Sequence, residues 1–152
     1  MRVGIISDTH GLLRREAEQA LRGVQLIVHA GDVGSPEVLD QLKAIAPVFA
    51  VRGNVDSEPW ALELPLTTVI EAGGATFYVL HNLRDLDLRP DAAEIDFVIS
   101  GHTHQAQHTE QSGVIYVNPG SAGPKRFNLP VTLALLDLSV KPWNPTFVQL
   151  VL

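Results

Sequence analysis

Val3-Gly4-Ile5-Ile6-Ser7-Asp8-Thr9-His10 opens the chain with a short apolar run that gives way at once to polar side chains able to bind a metal. A continuous run rich in β-branched residues reads as a strand buried on both faces. The same order recurs further along. Residues 26–28 are followed by His29-Ala30-Gly31-Asp32, and 48–51 by Arg52-Gly53-Asn54-Val55-Asp56. Residues 77–80 are followed by His81-Asn82, 97–99 by Ser100-Gly101-His102-Thr103-His104, and 114–117 by Asn118-Pro119-Gly120-Ser121. In open α/β sheets, sites form beyond the carboxyl ends of the strands. This chain puts its polar chemistry there.

Helical patterns separate the first three runs. Residues 12–21 carry Leu13, Ala17, Ala20 and Leu21 at helical spacing. Residues 36–45 open with Ser35-Pro36, an N-cap residue followed by proline at the first helical position, and set Val38, Leu39, Leu42 and Ile45 on one face. Strand–helix–strand–helix–strand implies parallel pairing through right-handed crossovers. From residue 66 the pattern changes. Residues 66–72 and 75–80 read as a hairpin turned at Gly73-Gly74, and 106–110, 114–117, 131–137 and 147–152 as strands with substantial antiparallel pairing. The class is α/β, and the 152 residues read as one domain, 1–152.

Composition narrows the chemistry. The chain has six histidines and no cysteine, so a bound metal must be held by imidazole, carboxylate or amide groups. The net charge of −6 argues against a broad nucleic-acid platform. No apolar run approaches the roughly 18 residues that span a bilayer, and no apolar segment ends in a small-residue cleavage site. A cytoplasmic protein that does not engage membranes is the expectation.

Asp8 and His10 are two apart, as are His102 and His104; in extended backbone such pairs project to the same side. Taken singly, Asp8 would serve as an N-cap, Asp32 and Asn54 as turn residues, and His81 as a hydrogen-bonded strand-end histidine. Taken together, Asp8, His10, Asp32, Asn54, His81, His102 and His104 form a ligand set too large and too rich in carboxylate for one tetrahedral zinc. The set suits two divalent ions sharing a carboxylate. His29 lies in a strand run and reads as a hydrogen-bonded core residue, and His108 as a solvated one. Trp60 reads as ordinary packing. Asn118 to Ser121 reads as a segment that lines the site and supports the ligand loops.

The ordered set Asp8-x-His10, Gly31-Asp32, Gly53-Asn54, His81 and Gly101-His102-Thr103-His104 resembles the calcineurin-like metallophosphoesterases. The short length and Asn118-Pro119-Gly120-Ser121 are similar to the compact prokaryotic phosphodiesterase branch. The resemblance implies a sandwich of two β-sheets flanked by helices, a four-layer αββα arrangement. It implies one metal on Asp8, His10, Asp32 and His104, and a second on Asp32, Asn54, His81 and His102, with Asp32 bridging. It further implies that a bridging hydroxide hydrolyses a phosphodiester, and that all seven ligands are catalytic. Borderline ligands fit Mn²⁺ first, with Fe²⁺, Ni²⁺ or Zn²⁺ as alternatives. Asn54, Lys125 and Arg126 are substrate-binding candidates, since Arg suits bidentate phosphate contacts.

Two departures matter. Many relatives carry histidine after the Gly-Asn pair as the acid for the leaving group, and here that residue is Val55. Either good leaving groups are preferred, or the proton comes from substrate, water or Asp56. Asn82 also stands where relatives often have glycine. The expected partner is a small phosphodiester; monomer and homo-oligomer are both compatible with the sequence. A protein-binding scaffold on the same fold is the alternative function, and a single-metal hydrolase of non-phosphate esters is a third. The retained histidines favour the diesterase.

Overall fold

The computed structural model describes residues 1–126 and 128–152. Among the described residues, ten strands form two five-stranded sheets. The first sheet contains β1 (Arg2–Ile6), β2 (Leu26–His29), β3 (Val48–Ala50), β9 (Thr132–Asp137) and β10 (Thr146–Gln149), in the order β10-β9-β1-β2-β3. β1, β2 and β3 are parallel, as the alternation with helices requires; β9 pairs antiparallel to β1, and β10 to β9. The second sheet contains β4 (Thr67–Ala72), β5 (Ala75–Leu80), β6 (Phe97–Ile99), β7 (Ala106–Gln111) and β8 (Val114–Pro119), in the order β4-β5-β6-β8-β7. Its two edges are antiparallel hairpins, but β5–β6 and β6–β8 are parallel, so the second half is mixed.

Strand alternation assigns each apolar residue to a layer. Val3 and Ile5 of β1 meet Phe77 and Val79 of β5, Phe97 and Ile99 of β6, and Ile115 and Val117 of β8 in the core between the sheets. Phe77 and Phe97 stack at 4.8 Å within it. The other face of β1 and β2, through Ile6 and Ile27, packs on the helices. These are α1 (Arg15–Ala20) and α2 (Pro36–Lys43), shorter than the periodicity suggests. Ser35 occupies the N-cap of α2 without a side-chain capping bond. Gly4 leaves room for Leu21 of the α1 segment against the sheet.

The outer face of the second sheet is covered differently. Leu86, Leu88 and Ile95 pack on Tyr78, Leu80 and Val98. The fourth layer is therefore a covering segment that begins with a 3₁₀ turn at Leu83–Asp85, rather than an α-helix. β3 is an edge strand with Phe49 44% exposed, so burial on both faces holds for β1 and β2 but not there. No helix among the described residues is long and apolar enough to cross a membrane.

Candidate metal centre

β1 and β2 deliver their ligand loops side by side. Beyond the strands, Asp8 N–H donates to Gly31 O (3.0 Å), His10 N–H to Asp32 O (3.0 Å) and Gly11 N–H to Val33 O (2.8 Å). The ladder thus continues into the loops and fixes Asp8 and His10 against Asp32. Loops after β5 and β6, in the other sheet, bring His81, His102 and His104 to the same end.

The backbone solution differs from extended pairs. Asp8, His10, Asp32, His102 and His104 have φ of 56°, 47°, 55°, 73° and 64°. Each is in the left-handed region, where Asp, Asn and His are enriched among non-glycine residues. Such conformations cost about 1–3 kcal/mol each and persist where the surroundings over-determine them. Asp8, His10, Asp32 and His104 converge because the chain turns at each of them, not because neighbours alternate along a strand, while His81 directly follows β5.

Five side chains form two overlapping groups, Asp8-His10-His104 and Asp8-Asp32-His81. Asp8 Oδ1 lies 3.3 Å from His104 Nε2, 3.7 Å from His10 Nε2 and 3.9 Å from His81 Nε2. Asp32 Oδ2 lies 3.2 Å from His81 Nε2 and 3.7 Å from His10 Nε2. Asp8 Oδ1 is shared by both groups, while Asp32 also touches imidazoles of both. Asp8 Oδ1, His10 Nε2 and His81 Nε2 are buried with no hydrogen-bond partner. An unsatisfied buried polar atom costs about 1–3 kcal/mol, and a cation at this point of convergence would satisfy all three. The donor set therefore fits a divalent metal.

His102 is exposed, with its ring 5.2 Å from that of His81, and its backbone N–H donates to Asp8 Oδ2 (3.1 Å). Asn54 lies with Arg52, His81 and His102 on the wall of a cleft of about 380 Å³. His102 borders the five-residue cluster rather than entering it, and Asn54 shares the cleft wall with His81 and His102. Lys125 and Arg126 are exposed, and the charge of Arg126 reaches His104.

The free lone pairs are oriented from behind. His81 Nδ1–H donates to Ala30 O (2.7 Å), which leaves Nε2 as the ligand atom. Ser7 Oγ–H donates to Asp8 Oδ2 (2.7 Å), and Val55 N–H to Asp32 Oδ1 (3.0 Å), turning the other oxygen of each carboxylate inward. Asn118 Nδ2–H₂ donates to Gly101 O (2.8 Å) and Thr103 Oγ1 (3.0 Å), and Ser121 Oγ–H to Asp8 O (3.0 Å). The Asn118–Ser121 segment thus ties the His102/His104 loop to the Asp8 loop.

Charge follows from this arrangement. Burial opposes ionisation of Asp32, but the adjacent His81 imidazole, the Val55 N–H and the charges of His81 and His10 outweigh it and hold the carboxyl at about 2. Burial likewise opposes ionisation of Asp8, yet the adjacent His10 imidazole, the bond from Ser7 and the charges of His81 and His104 leave it lowered. Burial pushes His81 down, but Asp32 and Ala30 raise it overall; burial leaves His104 lowered despite Asp8. Without a metal, the cluster favours the ionised form of both carboxyls and shifts His81 toward the protonated form.

Asp56 has another task than supplying an acid. Oδ2 accepts from Val33 N–H (3.1 Å) and Gly53 N–H (2.9 Å), and Oδ1 from Gly34 N–H (3.0 Å). A carboxylate engaged by three donors is an acceptor that clamps the Asp32 and Asn54 loops together. Sequence reasoning missed this clamp, although an aspartate three residues after glycine is a local turn signal. It also missed Ser7, whose only signal was its place beside Asp8. His29 is buried: Nδ1 accepts from Gly31 N–H (3.1 Å), so Nε2–H donates to Thr9 Oγ1 (3.0 Å), whose hydroxyl donates to Val33 O (2.8 Å). His108 is exposed, and Trp60 packs partly buried against the helix-side core.

A two-sheet sandwich thus gathers carboxylates and imidazoles from the strand ends of both sheets into one candidate metal centre. Residues 1–141 match the family model of the calcineurin-like phosphoesterase superfamily domain, and the chain belongs to that family. A probable metallophosphoesterase of Methanothermobacter thermautotrophicus is 36% identical over 151 residues, covering 89% of this chain and 85% of that protein. Among solved structures, a novel archaeal phosphodiesterase superposes with a TM-score of 0.83 at 26% identity, over 97% of this chain and 100% of its own. Vps29 of Chaetomium thermophilum has the same fold, with a TM-score of 0.77 at 18% identity over 99% and 95% of the two chains.

Proposed function

We propose that the chain is a dinuclear metal-dependent phosphodiesterase acting on a small phosphodiester. One ion belongs to Asp8, His10, Asp32 and His104, the other to Asp32, Asn54, His81 and His102, with Mn²⁺ ahead of Fe²⁺, Ni²⁺ and Zn²⁺. The observation that carries this reading is the convergence of three buried, unpartnered ligand atoms: Asp8 Oδ1, His10 Nε2 and His81 Nε2. A chain that held no metal would bear their cost for nothing. Bound ions supply an activated water and neutralise phosphate charge. The archaeal phosphodiesterase supports the choice of a diester.

The chain's own groups orient and bind. Ala30, Ser7 and Val55 aim the ligand atoms, and Asn54 with Lys125 and Arg126 receives phosphate oxygens, the guanidinium suiting a bidentate contact. Val55 has no proton to give, and Asp56 is committed to three N–H donors. The leaving alcohol therefore departs without an acid from this segment, a contribution that typically amounts to about 10²–10⁴-fold. Rates of the Mn²⁺-loaded protein on aryl methyl phosphodiesters should fall steeply as leaving-group pKa rises, and Val55→His should flatten that slope. A flat wild-type slope would refute the missing acid. No turnover above an Asp32→Ala control would refute the enzyme.

A further inference from the structure

The edges of the two sheets differ in how they are guarded. β3 and β10, at the edges of the first sheet, are three and four residues long, and short edges resist pairing with another chain. β7, at one edge of the second sheet, runs six residues in unbroken register with β8, from Ala106–Pro119 to Gln111–Val114. All six residues are exposed. Natural proteins blunt such edges with lysine, proline, a bulge or a covering element. β7 contains no lysine, no proline and no break in register.

Register decides which groups of β7 face outward. Ile115 N–H donates to Asp96 O, and Val117 O accepts from Ser100 N–H, so these two residues of β8 spend their backbone groups on the β6 side. Backbone groups alternate in direction along a strand. Val114, Tyr116 and Asn118 therefore bond β7, through Gln111, Thr109 and Gln107. The turn agrees: Ser112 and Gly113, with φ of 51° and 79°, form a two-residue hairpin loop that closes on a bonded Gln111–Val114 pair. His108 and Glu110 thus direct N–H and C=O away from the sheet, and among the described residues these backbone groups have no partner.

A second β7 running antiparallel satisfies all of them. With Thr109 opposite Thr109 of the second copy, His108 faces Glu110 and Glu110 faces His108, the reciprocity that a two-fold axis requires. Both are bonded backbone pairs. Each also sets an imidazole, which carries an N–H donor in either charge state, against a carboxylate. Opposite partners across a sheet stabilise it, and like charges directly opposite destabilise it. Sliding the register by two residues puts Glu110 against Glu110 or His108 against His108, so the Thr109-centred register is the complementary one. The charged residues of β7 therefore invite its own copy rather than guard the edge. β4, the other edge of this sheet, has Glu71 as its only charged residue and offers no such pair. We propose that β7 is a dimer edge, pairing antiparallel with β7 of a second copy about a two-fold axis at Thr109 and joining the second sheets of the two copies into one. The assignment is independent of the phosphodiesterase reading.

Sedimentation equilibrium of the full chain should show a reversible dimer, and the backbone N–H groups of His108 and Glu110 should exchange more slowly with deuterium as concentration rises. His108→Glu sets carboxylate against carboxylate at both pairs and should weaken the dimer by about tenfold. Glu110→Lys removes both carboxylates and should weaken it severalfold. Both side chains are exposed, so circular dichroism and Tm should keep their wild-type values. Mixed in equal amounts, the two variants pair the introduced glutamate with the introduced lysine and the native Glu110 with the native His108. The mixture should therefore associate about as tightly as the wild type. A wild type that stays monomeric to millimolar concentration overturns the proposal, even if an extended peptide of another protein binds β7. A dimer that both variants leave intact, a mixture no tighter than its components, or unchanged exchange at His108 and Glu110 places the contact elsewhere and overturns it as well.

Discussion

At the residue scale, the centre is defined as much by groups that aim ligands as by the ligands. His29 shows how a histidine beside the site is kept out of it. Both ring nitrogens are used, one accepting from Gly31 and one donating to Thr9, so the ring is locked neutral between the Asp8 and Asp32 loops. Burial is the main cause of its low pKa, about 4 against an ordinary 6.5, and nearby carboxylates offset it only in part. Because the folded pKa is depressed, the unfolded chain binds more protons between those values. Stability is then full above pH 6.5 and declines as pH falls to about 4, by about 3 kcal/mol in all. Urea unfolding at pH 7.5, 5.5 and 4.5 should show this decline, and His29→Gln should remove most of it. Parallel pH profiles for the two proteins would contradict the account. The sequence showed His29 as a strand-end residue that is not a ligand, but its two bonds depend on loop closures it could not reveal.

At the scale of elements, three loops act as one unit. Asp56 joins the Asp32 loop to the Asn54 loop through three backbone N–H groups, and Asn118 joins the His102/His104 loop to the end of β8. Asp56→Asn would turn an amide NH₂ toward a backbone donor, in its better orientation the Gly34 N–H, so one of the three bonds that join the loops is lost. Loosening also separates Asp32 from Asn54, so the variant should bind Mn²⁺ more weakly while keeping the wild-type circular dichroism spectrum. Titration calorimetry reads the affinity and the dichroism spectrum the fold, and wild-type affinity would show that the clamp is not needed. Gly31-Asp32 and Gly53-Asn54 were legible as paired ligand loops because each follows an apolar run. The bracket between them was not, because it joins residues more than twenty positions apart through backbone groups that every sequence possesses. The left-handed turns were hidden for a related reason: an Asp-x-His spacing is compatible with an extended strand or with two sharp turns, and the inter-loop ladder decides between them.

At the scale of the molecule, the apolar runs disclosed the strands and the Ser35-Pro36 pair the start of α2, since strong local patterns survive folding. The parallel pairs β5–β6 and β6–β8 were less legible, because the crossover after β5 is a covering segment without α-helical periodicity. That topology gives the centre a mechanical consequence. Asp8, His10 and Asp32 follow strands of one sheet and His81 and His104 strands of the other, so a metal would bridge the sheets at one end while the Phe77-Phe97 core joins them in the middle. Binding free energy then becomes folding free energy. Mn²⁺ at a free concentration about 100 times its Kd should add about 2.7 kcal/mol, a rise in Tm of roughly 5–10 °C for a domain of this size. Asp8→Asn, which keeps a residue suited to positive φ but removes the carboxylate of both groups, should abolish the rise without collapsing the fold. Phe97→Ala should lower the metal-free protein by about 3–5 kcal/mol and yet retain the metal increment, since distant and independent contributions add. Thermal scans of the three proteins with Mn²⁺ and with chelator decide the matter. A rise that persists in Asp8→Asn would place the stabilising ion elsewhere, and one lost in Phe97→Ala would mean that the core itself, not only the loops, sets the ligand geometry.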